Sequence, residues 1–240
     1  MRVAVISDIH GNLLSFEAVL KDIEREKIDQ IVCLGDVAAL GPHPREVIAR
    51  LKALNCPNVM GNTDDSLLNP ITYSNLSEDG QRFYELESWG AAQLTSDDKA
   101  FLRTFRPTIE LTLGELTLLC FHGSPNSYDD VIRATTPDDE LEQKLAGFSA
   151  NIMAGGHTHT QMLRRHKNIL VINPGSIGLP HDYFLGEVYN LAWAEYAVLN
   201  TMDDRLSVDL RCVQVDGEQV RQSFLTSGMP HAEWMVQNWR

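Results

Sequence analysis

The chain has 240 residues, 43% of them hydrophobic, and a formal net charge of −13, a globular composition long enough to bury a sizeable core. The acidic balance argues against non-specific binding to nucleic acid or to an anionic membrane, which need clustered positive charge, and it favours a small soluble substrate over a polymer. Cys33, Cys56, Cys120 and Cys212 make no CxxC pair and read as buried reduced thiols, while Asp8 and His10 interrupt any signal-like apolar run, so a cytoplasmic protein with no membrane partner is expected.

Val3 to Ser7 is a continuous apolar run ending at Asp8, the pattern of a strand buried on both faces. From Leu13 to Glu26, Phe16, Val19, Leu20 and Ile23 recur at helical spacing. Ile31 to Leu34 repeats the buried-strand pattern and ends at Gly35-Asp36. Pro44 opens a second helix, with Val47, Ile48, Leu51 and Leu54 on one face, because proline suits a first helical turn. Val59-Met60 is a short third strand ending at Gly61-Asn62. This β-α-β-α-β order predicts a parallel sheet with right-handed crossovers.

Residues 77–105 predict helix in two pieces, with Thr95 or Ser96 capping the second. Ile109 to Leu113 and Leu116 to Phe121 form a hairpin around Gly114-Glu115 that ends at His122. A helix near Asp138 to Phe148 precedes the strand Asn151 to Ala154 and the turn Gly155-Gly156-His157. Met162 to Arg165 pairs with Ile169 to Ile172, and Asn173 to Leu191 reads as irregular. Tyr196 to Thr201 and Leu206 to Val215 make a last hairpin before a helix from Gly217. Mixed parallel and hairpin strands suggest an α/β fold: a two-sheet β-sandwich flanked by helices, in one domain over 1–240. The helical insert at about 64–105 lies between two motif strands and is expected to act as a lid.

The chemistry-bearing residues gather where these runs end: Asp8-Ile9-His10, Gly35-Asp36, Gly61-Asn62, His122 and Gly156-His157-Thr158-His159. A parallel sheet presents the carboxyl ends of its strands to one crevice, so these segments converge in space. Asp-x-His and Gly-Asp are each common turn signals taken singly. Two imidazoles at i and i+2 after paired glycines are harder to explain by packing. Together they collect Asp, His and Asn at one sheet end, the ligand types of a hydrolytic metal pair. His166 and His231 lie in ordinary polar surroundings.

In that order and spacing, the segments resemble the signature of the calcineurin-like metallophosphoesterase superfamily, Asp-x-His, Gly-Asp, Gly-Asn, His and Gly-His-x-His, over residues 1 to about 180. Ser7-Asp8-Ile9-His10-Gly11-Asn12, His122-Gly123-Ser124-Pro125 and Asn173-Pro174-Gly175-Ser176 look most like its small bacterial and archaeal phosphodiesterase branch. The resemblance implies that Asp8, His10 and His159 hold one metal, that Asn62, His122 and His157 hold the other, and that Asp36 bridges them. Two dications about 3.5–4 Å apart share a hydroxide made at neutral pH and neutralise charge on an in-line phosphoryl transition state. With no Cys among the ligands, two divalent transition-metal ions are expected, Mn²⁺ first, with Fe, Co, Ni or Zn as other choices.

One departure stands out. Many members carry Gly-Asn-His-Glu, whose His is thought to assist the leaving group, and this chain has Gly61-Asn62-Thr63-Asp64. Threonine is no general acid near neutral pH, so the role is vacant or falls to Asp64, His43 or His181. Asp36, Asn62 and Asp64 are thus the residues expected nearest the chemistry. Asn12, Arg164, Arg165 and His181 are candidates for substrate contact, the arginines because their forks match phosphate oxygens, and Ser176 is a further mouth or turn residue. The resulting expectation is hydrolysis of phosphodiesters of small nucleotide-like molecules, extending to phosphoanhydrides or activated monoesters. Alternatives are a diadenosine-polyphosphate hydrolase, a protein phosphatase, or a non-catalytic protein-binding scaffold of the same fold.

Overall fold

The computed structural model describes residues 1–70, 75–184, 187–202, 205–237 and 239. Its strands are β1 (Arg2–Ile6), β2 (Gln30–Cys33), β3 (Ile109–Leu113), β4 (Leu116–Cys120), β5 (Ile152–Ala154), β6 (Met162–His166), β7 (Ile169–Asn173), β8 (His181–Phe184), β9 (Glu187–Asn190), β10 (Trp193–Met202) and β11 (Arg205–Gln214). Its helices are α1 (Leu13–Arg25), α2 (Pro44–Leu54), α3 (Asn62–Leu68), α4 (Glu78–Gln93), α5 (Ser96–Leu102), α6 (Asp138–Lys144), α7 (Gly217–Thr226) and α8 (Ala232–Val236).

Two mixed sheets face one another. The first has the order β11-β10-β1-β2 and the second β3-β4-β5-β7-β6; β1 and β2 run parallel, as do β4 with β5 and β5 with β7. Strand alternation builds three apolar layers. Val3 and Val5 of β1 face Leu118 and Cys120 of β4 in the seam between the sheets. Ala4 and Ile6 point the other way, to Phe16, Val19 and Leu20 of α1 and Val47, Ile48 and Leu51 of α2. Behind the second sheet, Leu119, Phe121 and Met153 meet Leu141 and Leu145. A strand buried on both faces must be apolar throughout, which is why β1 shows no alternation in its sequence.

Several expectations need correction. Val59-Met60 is not a third strand: the segment makes only single parallel bridges, Asn58 to Cys33 and Val59 to Arg106. The stretch from Asn173 to Leu191 is not irregular throughout, since β8 and β9 pair antiparallel within it. Helix α6 stops at Lys144, short of Phe148. Cys33 and Cys120 are buried free thiols, but Cys56 is half-buried and Cys212 exposed, because Cys212 occupies an outward position of the edge strand β11. The insert is helical as expected, in α3, α4 and α5, with residues 71–74 outside the described ones. Thr95 caps α5 through a reciprocal pair of bonds with Asp98. Among the described residues, no helix is long and apolar enough to cross a membrane.

Candidate metal centre

The loops that follow β1 and β2 are laced together by backbone hydrogen bonds: Asp8 N–H to Gly35 O (3.0 Å), His10 N–H to Asp36 O (2.9 Å) and Gly11 N–H to Val37 O (2.8 Å). The turn after β5 joins them when His157 N–H donates to Asp8 Oδ2 at 3.1 Å. Close approach is possible because Gly61 and Gly156 lack side chains. A Cβ on Gly61 would strike the Asp36 carboxylate, and one on Gly156 the Ser7 hydroxyl.

Five of the expected ligands sit in the left-handed region: Asp8 (φ 54°), His10 (47°), Asp36 (55°), His157 (66°) and His159 (53°). Asp, Asn and His tolerate that region better than other non-glycine residues, yet each such backbone costs about 1–3 kcal/mol and persists only where its surroundings hold it. The concentration of positive φ here turns these side chains inward, toward one another.

Their donor atoms converge. Asp8 Oδ1 lies 3.2 Å from His159 Nε2 and 3.8 Å from His10 Nε2. Asp36 Oδ2 faces both flanks, 3.7 Å from His10 Nε2 and 3.4 Å from His122 Nε2. Asn62 Oδ1 sits between His122 Nε2 (3.0 Å) and His157 Nδ1 (3.1 Å). Two groupings, Asp8 with His10 and His159, and Asp8 with Asp36 and His122, have the compactness that one cation requires.

Three of the four imidazoles are oriented from behind. His10 Nδ1 contacts Ala39 O (3.2 Å), His122 Nδ1 contacts Leu34 O (2.8 Å) and His159 Nδ1 contacts Leu179 O (2.9 Å). A ring that donates its Nδ1–H to a carbonyl presents an Nε2 lone pair, the arrangement that metal-binding histidines use. His10 Nε2 and His159 Nε2 then stand 2.9 Å apart as two acceptors, and Asp8 Oδ1 is buried without a hydrogen-bond partner. Acceptors pressed together in a buried site need a proton or a cation among them, and this donor set of carboxylate, imidazole and amide oxygen fits a divalent transition metal.

The titration behaviour has the same cause. Burial alone would raise the Asp36 carboxyl, but His122, and then His10 and His157, hold it well below the carboxylate range. Burial disfavours a charged His122, yet Asp36 beside it overrides that and lifts the imidazole to about 10. His10 goes the other way, to about 4, through burial and the neighbouring His159. A proton on His122 does the electrostatic work a cation would do.

The expected substrate contacts separate. Asp64 does not face the crevice: it is fully buried, and its oxygens accept from Asp36 N–H (2.7 Å), Val37 N–H (2.9 Å) and Gly61 N–H (3.1 Å). It anchors the turn that carries Asp36, so it is a positioning residue, engaged by backbone N–H groups away from the crevice. Asn12 is buried as the cap of α1, accepting from Ser15 N–H and donating to Gly178 O, and does not line the mouth. Ser176 is likewise buried, donating to Asp8 O and accepting from Leu179 N–H. Arg164 is held by Thr136 O and Asp138 (both 2.6 Å) and Arg133 O (3.2 Å); Arg165, next to it on β6, is exposed. His43 precedes α2 half-buried, without a side-chain cap bond. His181 is the one placed beside the donors, its ring 5.7 Å from that of His159. The carbonyls of Leu34, Ala39 and Leu179 carry no side-chain signature, so no sequence reading identifies them as orienting groups.

Residues 1–203 match the calcineurin-like phosphoesterase superfamily domain. The uncharacterized protein MJ0912 of Methanocaldococcus jannaschii is 25% identical over 97% of this chain and 95% of its own length. The crystal structure of a metallophosphoesterase from Sphaerobacter thermophilus is similar with a TM-score of 0.75 at 25% identity, covering 99% of this chain and 97% of that one. The hypothetical protein PH1004 of Pyrococcus horikoshii has the same fold, with a TM-score of 0.82 at 21% identity over 98% of this chain and 96% of its own.

Proposed function

The chain belongs to the calcineurin-like phosphoesterase superfamily, and from that premise we propose that it is a dinuclear metal-dependent phosphodiesterase acting on small, nucleotide-like phosphodiesters. The observation that carries the reading is the frustrated donor set: Asp8 Oδ1 buried without a partner, with His10 Nε2 and His159 Nε2 2.9 Å apart around it. Asp8, His10 and His159 would hold one cation and Asn62, His122 and His157 the second, with Asp36, which faces both flanks, shared between them. When bound, the cations supply an activated water at neutral pH and neutralise phosphoryl charge. The mixed oxygen and imidazole donors admit Mn²⁺, which we take first, and equally Fe, Co, Ni or Zn.

The chain's own part is preorganisation. Carbonyls of Leu34, Ala39 and Leu179 fix three imidazole tautomers, Asp64 fixes the backbone of Asp36, and His181 borders the place where a substrate phosphate would lie. Thr63 stands where the superfamily often has His, Asp64 is taken up by backbone donors, and the pKa of His181 is lowered by burial, so among these candidates none is a strong proton source for a leaving oxygen. Substrates with good leaving groups are therefore favoured.

The test is to strip the protein with a chelator, reload it separately with Mn²⁺, Fe²⁺, Co²⁺, Ni²⁺, Zn²⁺ and Mg²⁺, and assay a panel of phosphodiesters, phosphoanhydrides and monoesters. Two ions per chain and strongest turnover on diesters are expected. Two ions bound with no hydrolysis of any member would favour a binding scaffold instead.

A further inference from the structure

The C-terminal part of the chain, beyond the matched residues 1–203, touches two elements that adjoin the candidate site. On one side it meets α4. The Phe83 and Trp234 rings pack edge to face with centroids 5.2 Å apart, the Arg82 guanidinium lies 5.3 Å from the Trp234 ring centre, and His231 Nε2 is 2.7 Å from Glu85 Oε2. Helix α4 in turn rests on the centre: a Cβ on its Gly90 would lie 3.5 Å from Leu67 of α3, the helix that begins at Asn62, and 3.9 Å from Ala39, whose carbonyl orients His10.

On the other side the same segment meets the β8–β9 hairpin. Asn190 donates through Nδ2 to Met235 O at 3.1 Å, and Trp239 makes a backbone bridge to Asn190. Asn190 is the register partner of His181, whose ring adjoins that of His159. A helix of five residues is too short to be stable alone, so α8 owes its place to these contacts and to α7, which packs beside it.

We infer that the segment around α8 is a strap joining α4 to the β8–β9 hairpin across the site, and that Trp234 and His231 set the width of the mouth and hence the size of diester admitted. They act as positioning residues, through α4 and His181. The inference takes the mouth from the proposed function, but the contacts that carry it are independent of any metal.

Two measurements decide it. Hydrogen exchange of the full chain should show α4 and β8–β9 losing protection together in Trp234→Ala, by about tenfold, the size of a lost aromatic pair, while β1 and β4 are unchanged. Trp234→Phe should restore it. His231→Asn, which keeps the left-handed backbone of His231 (φ 55°), should give a smaller loss confined to α4. The second arm compares methyl p-nitrophenyl phosphate with thymidine 5′-(p-nitrophenyl phosphate), diesters of different bulk and one leaving group. In Trp234→Ala the ratio of kcat/KM, large to small, should rise several-fold, mainly through KM. Unchanged exchange in α4, a uniform loss across the sheets, or an unchanged ratio overturns the strap. No hydrolysis of either diester by the metal-loaded wild type overturns the proposed function instead, and exchange still judges the strap.

Discussion

Asp8, His10 and His159 make one flank of the proposed metal centre, and Asn62, His122 and His157 the other, and they differ in charge. The first flank contributes a full carboxylate from Asp8, buried with His10, and both its imidazoles are pinned through Nδ1. The second contributes only neutral donors, leaves Asn62 and His157 half-exposed, and has a ring, His157, that faces its neighbour through Nδ1. In the proposed assignment, with Asp36 shared, a cation in the first flank would meet two carboxylates, and one in the second would meet Asp36 with Asp8 only at its edge, 4.0 Å from His122 Nε2. Charge in a buried site weighs more than at a surface, so the first flank should bind the tighter ion and the second the exchangeable one.

The sharpest way to break this comparison is to remove what the flanks share. Asp36→Asn should abolish nearly all turnover and drop metal content to one ion or none, measured by elemental analysis beside a diester assay. Retention of two ions and most turnover would mean that Asp36 is not the common ligand. Asp64→Asn should come next in activity and first in instability. An amide there points an N–H at backbone donors, and each buried group left unsatisfied costs about 1–3 kcal/mol, so thermal unfolding should move down by about 2–4 °C per kcal/mol. Wild-type stability with normal metal content in this variant would remove Asp64 from the positioning role.

Asp8→Asn separates the flanks. It should lose the tighter ion while raising the melting temperature of chelated protein, because an amide at Asp8 can donate toward the crowded Nε2 atoms. A lower melting temperature in chelator would show that the Asp8 charge is satisfied in the fold. Within each flank the two imidazoles split in pH behaviour: His122 and His159 are raised by the neighbouring carboxylates against burial, and His10 and His157 are lowered, chiefly by burial. His122, raised to about 10 from an ordinary 6.5, stabilises the chelated fold below pH 6.5, and that contribution fades as pH rises toward 10. His10, lowered to about 4, contributes stability above pH 6.5 that is lost as pH falls toward 4. Metal binding near pH 7 should therefore release a proton from His122 and none from His10, read by calorimetry in buffers of different ionisation enthalpy. Equal proton release on loading His10→Ala and His122→Ala proteins would contradict this.

Much of this asymmetry was legible in the sequence, because ligands at the ends of apolar runs follow from sheet geometry, and side-chain chemistry then separates Asp8 from Asn62. The hairpin β8–β9 was not: Gly178 and Pro180 just before it resemble loop, and its two four-residue strands are shorter than periodicity resolves. The apolar pair Val59-Met60 suggested a strand that became only bridges, since no neighbour lies alongside long enough to complete a ladder. Asp64 reads as a candidate acid because two of its three partners are backbone N–H groups 27 and 28 positions away, which no local pattern reveals; only the third, Gly61 N–H, is local.

The smallest effects are expected at the mouth, where the first flank meets solvent. His181 adjoins His159, and burial, with His159 next, lowers its pKa, so near neutral pH it is uncharged and a weak source of protons. With Asp64 occupied and Thr63 unable to act, the rate should fall steeply as leaving-group pKa rises, nitrophenyl esters reacting far faster than alkyl ones. His181→Ala should leave that slope intact and lower turnover by well under the factor of about 10²–10⁴ that a general acid supplies. Arg164→Ala should do less still, because that guanidinium is spent on the 133–138 segment. If His181→Ala instead lost activity by the larger factor, and only on esters with poor leaving groups, then His181 is the missing acid and the first flank, the tighter binder, is also where the departing oxygen sits.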